Sequence, residues 1–182
     1  MHERIFHVSD RADIERFEPR PPPSPGSGQT GTMVWAVGER LLHNYLVPRD
    51  CPRVTFYRGP NTTTADAERW LGGTSAAFVV AIETRWWPAL RNSRLYAYEL
   101  PPLPFIPIDP GAGYYIARET IEPLGMQEIA DLPGALLARN VELRIMPELW
   151  KLHDGIAASS MQFSIIRMRN AQPRSSSYDI PS

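Results

Sequence analysis

One cysteine, one lysine and no long apolar run set the first limits on this chain. Cys51 alone permits neither an internal disulfide nor a cysteine-based zinc centre. The four histidines, His2, His7, His43 and His153, show no metal-ligand spacing, so no metal cofactor is expected. No segment is long and apolar enough to be a transmembrane helix, which argues against a membrane partner. Met1 to Arg4 is polar and runs straight into an apolar segment, so no signal peptide is read and a cytoplasmic protein is expected. An excess of positive charge is missing too: a net charge of −1 speaks against a nucleic-acid surface. Lys151 is the only lysine among 19 basic residues. The arginines suit bidentate contacts to phosphate or carboxylate, and an arginine-rich genome explains the bias equally well. P-loop, nucleophile-elbow, H-E-x-x-H and paired-cysteine motifs are all absent, which removes the chemistries that depend on them.

What remains is ordinary globular composition, 43% hydrophobic and 21% charged over 182 residues, enough for one domain with a sizeable core. The organising stretch is Ile5-Phe6-His7-Val8-Ser9, read as a strand. Alternation sets Phe6 and Val8 on one face, His7 and Ser9 on the other. Asp10 to Phe17 suggests a short helical turn capped by Asp10. Residues 18–32, rich in proline and then glycine, are expected to form an exposed loop or flap. Strands are expected at 33–37, 54–57, 76–82, 94–100, 114–117, 141–146 and 161–168. Residues 101–110 and 119–124 should be extended between prolines. Helical stretches are expected at 39–46, at 62–71 with Thr64 as cap, at 131–140 and at 147–158, and a short helix or turn at 84–92. The tail from Arg169 is polar and serine-rich, so 170–182 is read as flexible. Strands that do not alternate with long helices, and no phosphate-binding glycine motif, disfavour a doubly wound fold. The expected fold is a single compact α+β domain over 1–169, mainly antiparallel with short helices.

Candidate chemistry lies at a few positions. His7 beside Ser9 forms a hydrogen-bonding pair on one strand face. Pro48 to Arg53 is a rigid turn that aims Arg49 and Arg53, and surface ion pairing is the plainer role for each. Cys51 between these arginines is either a thiol of lowered pKa or a small buried residue at a strand start. Asp109, Glu119 and Glu142 are the acids at or beside strands. Trp86, Trp87 and Trp150 suit a dimer interface and core packing equally.

Two resemblances follow from these residues. Phe6-His7-Val8-Ser9, Val34-Trp35-Ala36, the P-R-D-C-P-R turn, Gly113-Tyr114-Tyr115 and the late I-I-R-M-R-N resemble, over nearly the full length, a bacterial family of uncharacterised proteins. More distantly, the chain resembles small ADP-ribosyltransferases of the rifampin-modifying type. There the first strand carries Tyr-His-Gly-Thr, a second supplies an aromatic followed by small residues, and a later strand leads to an acid before a proline. Phe6 to Ser9, Val34 to Ala36, and Leu95 to Pro101 followed by Asp109-Pro110 stand in those places. Val8 replaces the glycine, Trp35 replaces a tyrosine, and the segments are spaced further apart. This resemblance implies an ADP-ribosyltransferase-like fold with NAD as co-substrate. His7 would orient a ribose hydroxyl, with Ser9 beside it, while Trp35 and Tyr115 line the nicotinamide slot. Asp109 would stabilise the positive charge on the ribose, with Glu119 and Glu142 as alternatives. Arg49 or Arg53 would hold the pyrophosphate, and the 18–32 loop would close over the acceptor. The alternative is a non-catalytic domain that binds a small ligand or a protein. In that case His7 lies against the core with no acid in reach.

Overall fold

The computed structural model describes residues 3–22 and 28–174. In chain order the strands are β1 (Ile5–Ser9), β2 (Val34–Gly38), β3 (Arg53–Tyr57), β4 (Phe78–Glu83) and β5 (Leu95–Leu100). They continue with β6 (Ile106–Asp109), β7 (Tyr114–Ala117), β8 (Gly125–Ile129), β9 (Val141–Met146) and β10 (Gln162–Ile166). The helices are α1 (Thr64–Leu71), α2 (Trp87–Asn92), α3 (Leu132–Leu137) and α4 (Trp150–Ala157). The expected α+β, mainly antiparallel class is borne out. Within the span expected to be one domain, contacts cluster into two compact units, residues 1–49 with 89–139 and residues 50–88 with 140–182.

The first unit is built on a six-stranded antiparallel sheet in the order β6-β7-β2-β1-β5-β8. β1 and β2 lie at its middle, as their apolar sequences require. Register aligns Tyr98, His7, Ala36 and Tyr115 on one face, with Phe6, Trp35, Val37 and Tyr114 on the other. The His7 face carries a core of Ile5, Val34, Ala36, Tyr98, Leu100 and Ala117, covered by Phe17, Phe105 and Ile121. Residues 10–17 are not helical, contrary to the periodicity. Tyr98 supplies the reason: its hydroxyl donates to the Arg11 carbonyl at 2.7 Å and accepts from the Ile14 N–H at 3.2 Å. A tertiary partner thus takes backbone groups that a helix would have satisfied internally. Phe17 then exchanges two backbone bonds with Ile121, and Arg20 two with Met33. The ends of the proline-glycine segment are therefore pinned to the sheet, while 23–27 lie outside the described residues. The helical stretch expected at 39–46 is a 3-10 helix over Glu39–Tyr45. β8 was not expected: it is an edge strand exposed along most of its length, so no buried face patterns its sequence.

The second unit holds a four-stranded sheet, β10-β3-β4-β9, antiparallel except for the β4–β9 pair. β4 is buried along nearly its whole length, as the uninterrupted run Val79-Val80-Ala81-Ile82 requires. One sheet face packs Val54, Phe56, Val79 and Ala81 against Leu149, Leu152 and Ile156. α1 starts one residue earlier than the expected cap allows: Thr63, not Thr64, accepts the Asp66 N–H. Asp131 caps α3 as expected. Residues 170–174, expected to be part of a flexible tail, are bonded to the unit. Gln172 N–H donates to the buried Glu83 carboxylate, Trp150 Nε1–H to the Gln172 carbonyl, and Arg174 doubly to Asp154. Residues 175–182 lie outside the described residues.

Candidate functional site

The pairing of β1 with β2 stops early. Ile5 stands opposite Gly38 and Phe6 opposite Val37, and the ladder goes no further, although β1 continues to pair with β5 as far as Ser9. The Glu39 N–H donates to the Arg4 carbonyl at 2.9 Å, which sets the alternation. Arg4, Phe6 and Val8 are the β1 residues whose backbone groups face β2. Val8 would next bond Trp35. Instead the His7 imidazole takes the Trp35 carbonyl, with Nδ1 to oxygen at 2.8 Å. A side chain has replaced a ladder bond at the point where the strands part. The Val8 N–H and C=O and the Trp35 N–H consequently face the gap.

That hydrogen bond fixes the chemistry of the imidazole. A carbonyl only accepts, so Nδ1 carries the proton and Nε2 is the acceptor of the neutral ring. Burial holds His7 below its ordinary pKa, against the opposing effect of the Trp35 carbonyl; the charges of Arg49 and Arg20 push it further down. At neutral pH the residue is an uncharged, oriented hydrogen-bond acceptor. Phe17 lies against its ring at 4.6 Å between centroids.

A cavity of about 70 Å³ opens where the strands separate, lined by Phe6, His7, Val8, Trp35, Ala36, Val37, Tyr45 and Tyr114. Residues of both sheet faces line it, as expected of a gap between strands. Its walls are aromatic. Trp35 meets Tyr114 edge to face at 6.0 Å and Tyr45 meets Tyr114 at 6.3 Å. Arg4 holds Phe6 in place, its guanidinium 5.0 Å from the ring while bonded to Glu39 and Glu99. The Trp35 Nε1–H is buried and has no hydrogen-bond acceptor among the described residues.

Of the residues singled out from the sequence, His7 and Trp35 line this cavity together, and Arg49 lies close enough for its charge to act on His7. The others lie elsewhere. Ser9 is buried, and its hydroxyl accepts the Arg11 N–H at 3.1 Å. Tyr115 is on the opposite sheet face from Trp35, where its hydroxyl donates to Glu3 at 2.6 Å; that bond pushes the phenol up to about 12. Tyr114 is the cavity residue of that pair. Asp109 stands one strand outward from the cavity wall, opposite Tyr114 in register, and its Oδ1 accepts the Ala112 N–H at 3.0 Å. Glu119 is exposed beyond the end of β7, and Glu142 is bonded to Arg144 within the second unit. Arg53 is buried in the second unit and donates to the Cys51 carbonyl at 3.0 Å. Cys51 is wholly buried, and burial pushes its thiol up to about 12, which removes the reading of an activated thiol.

Sequence reasoning missed Phe6, Tyr45, Tyr114 and Arg20. Tyr114 and Tyr115 are adjacent, and only the register with β2 decides which of them faces Trp35. Arg20 was hidden in the loop composition, although its bridge to Met33 ties it to the start of β2. Among the described residues no group of histidine, cysteine, aspartate or glutamate is arranged to hold a metal ion, and no helix is long and apolar enough to cross a membrane.

No curated protein and no solved structure matches the chain. The motifs that run through this site and on to the Met168–Asn170 turn fall inside one family model, which covers residues 6–171; the chain belongs to the family of unknown function DUF6886.

Proposed function

We propose that the β1/β2 gap binds the nicotinamide end of NAD, and that the chain is an ADP-ribosyltransferase-like protein acting on the nicotinamide–ribose bond. The observation that carries this reading is the parting of the ladder at His7. It sets an oriented neutral imidazole, an aromatic-walled cavity and the open end of the β1/β2 ladder side by side. Trp35, Tyr45 and Tyr114 offer flat apolar surface to a ring. The Val8 N–H and C=O match the acceptor and donor of a carboxamide. His7 Nε2 accepts a ribose hydroxyl, and Arg49 with Arg20 supplies positive charge for the phosphates. A cavity of about 70 Å³ is far below the roughly 300–1,000 Å³ of pockets that enclose a ligand. It therefore takes the edge of one ring, with the remainder of the dinucleotide lying over open surface.

A second reading, NAD binding without cleavage, is favoured by one observation. The bond-breaking step calls for a carboxylate near the developing positive charge on the ribose. Asp109, the acid that the resemblance assigns, holds a turn one strand away from the wall. Nicotinamide release from NAD, followed by chromatography, separates the two readings. Cleavage predicts release that is lost in His7→Ala and falls at least tenfold in Asp109→Asn. Saturable binding without release leaves a binding domain. Wild-type protein that neither binds nor cleaves NAD sinks both.

A further inference from the structure

We infer that the Trp35 indole N–H is a ligand-reading group, which takes a carbonyl oxygen of the bound ring and so selects carboxamide-bearing rings over the same ring without one. The inference rests on the reading of the gap as a ring-binding slot. Trp35 forms one wall of the cavity, yet its Nε1–H is buried without an acceptor among the described residues. A buried donor left unmade costs free energy comparable to the hydrogen bond itself, so such a group calls for a function. Tyr114 meets the indole edge to face and has no lone pair to offer from its ring. An acceptor that arrives on a flat, otherwise apolar ligand satisfies the donor and the aromatic walls together. Trp70 and Trp86 also carry buried indole N–H groups without an acceptor among the described residues, but they lie in the second unit and do not line this cavity. They serve as internal controls.

The test uses nicotinamide and 3-methylpyridine, the same pyridine ring bearing a carboxamide in one and a methyl group in the other. Proton–nitrogen spectra of the full chain resolve the tryptophan indoles, and Trp35→Phe identifies the Trp35 signal. Nicotinamide should move the Trp35 indole proton downfield and leave those of Trp70 and Trp86 in place. It should bind the wild type well over tenfold more tightly than 3-methylpyridine, the indole bond adding to those from the Val8 backbone. In Trp35→Phe that preference should fall about tenfold, the share of one buried hydrogen bond, while 3-methylpyridine binds as before; Trp35→Tyr serves if the phenylalanine variant does not fold. Nicotinamide binding with an unmoved Trp35 indole signal, or with its preference intact in the variant, overturns this inference and leaves the slot standing. Failure of nicotinamide and of NAD to bind the wild type overturns the slot and this inference together.

Discussion

His43 and His7 shift in the same direction for the same leading reason. Both imidazoles are withdrawn from water, and arginine charges reinforce the effect: Arg139 and Arg40 at His43, Arg49 and Arg20 at His7. His43 falls to about 4 from its ordinary 6.5. The sign follows from proton binding. Below pH 6.5 the unfolded chain takes up a proton that the folded chain refuses, so stability is full above 6.5 and is lost as pH falls toward 4. Between pH 7.5 and pH 5, above the ordinary range of carboxylates, His43 alone should cost about 2 kcal/mol. Urea unfolding at both pH values should show that loss in the wild type and a smaller one in His43→Gln. Equal losses in the two proteins would exclude His43 as its source. At this scale the sequence was partly legible. His7 and Trp35 could be found because a histidine on an apolar strand, followed by an aromatic strand, is a local pattern. Tyr114 could not be told from Tyr115, since facing depends on a register set by β2.

At the scale of elements, close approach decides what the sequence alone leaves open. Gly155 in α4 lies under the Trp70 indole of α1, and a Cβ there would sit 2.5 Å from Trp70 Cη2. Both residues are half-buried, and Trp70 packs against the core of the second unit. Gly155→Ala should therefore destabilise by about 1–3 kcal/mol, as overpacking does, although alanine is the better helix former. Chemical denaturation measures this, and a variant as stable as the wild type or more so would show that the helices slide apart freely. Elements rich in buried apolar residues were readable: β1, β4, β5 and α4 stand within a few residues of where their apolar runs place them. β8 was not, because an exposed edge strand places no apolar constraint on its residues. Residues 10–17 misled because Tyr98, remote in sequence, claims their backbone groups.

At the scale of the whole molecule, the class was legible and the partition was not. The chain leaves the six-stranded sheet after β2, builds β3 and β4 into the other sheet, and returns for β5 to β8 before completing the second sheet with β9 and β10. No local signal marks which strand pairs with which, so the assignment of His7 to one unit and Arg53 to the other was beyond the sequence. The same pairing leaves β1 held along its full length by β5 but released by β2 after Phe6, and the candidate site is that release. The most direct test of the account is a calorimetric titration of NAD into the wild-type protein and into His7→Ala, with folding of both verified by near-ultraviolet circular dichroism. Saturable binding to the wild type that weakens at least tenfold in a folded His7→Ala protein is the predicted result. No binding to the wild type at millimolar NAD, or equal binding to both proteins, contradicts the assignment of the gap at His7 as the dinucleotide site.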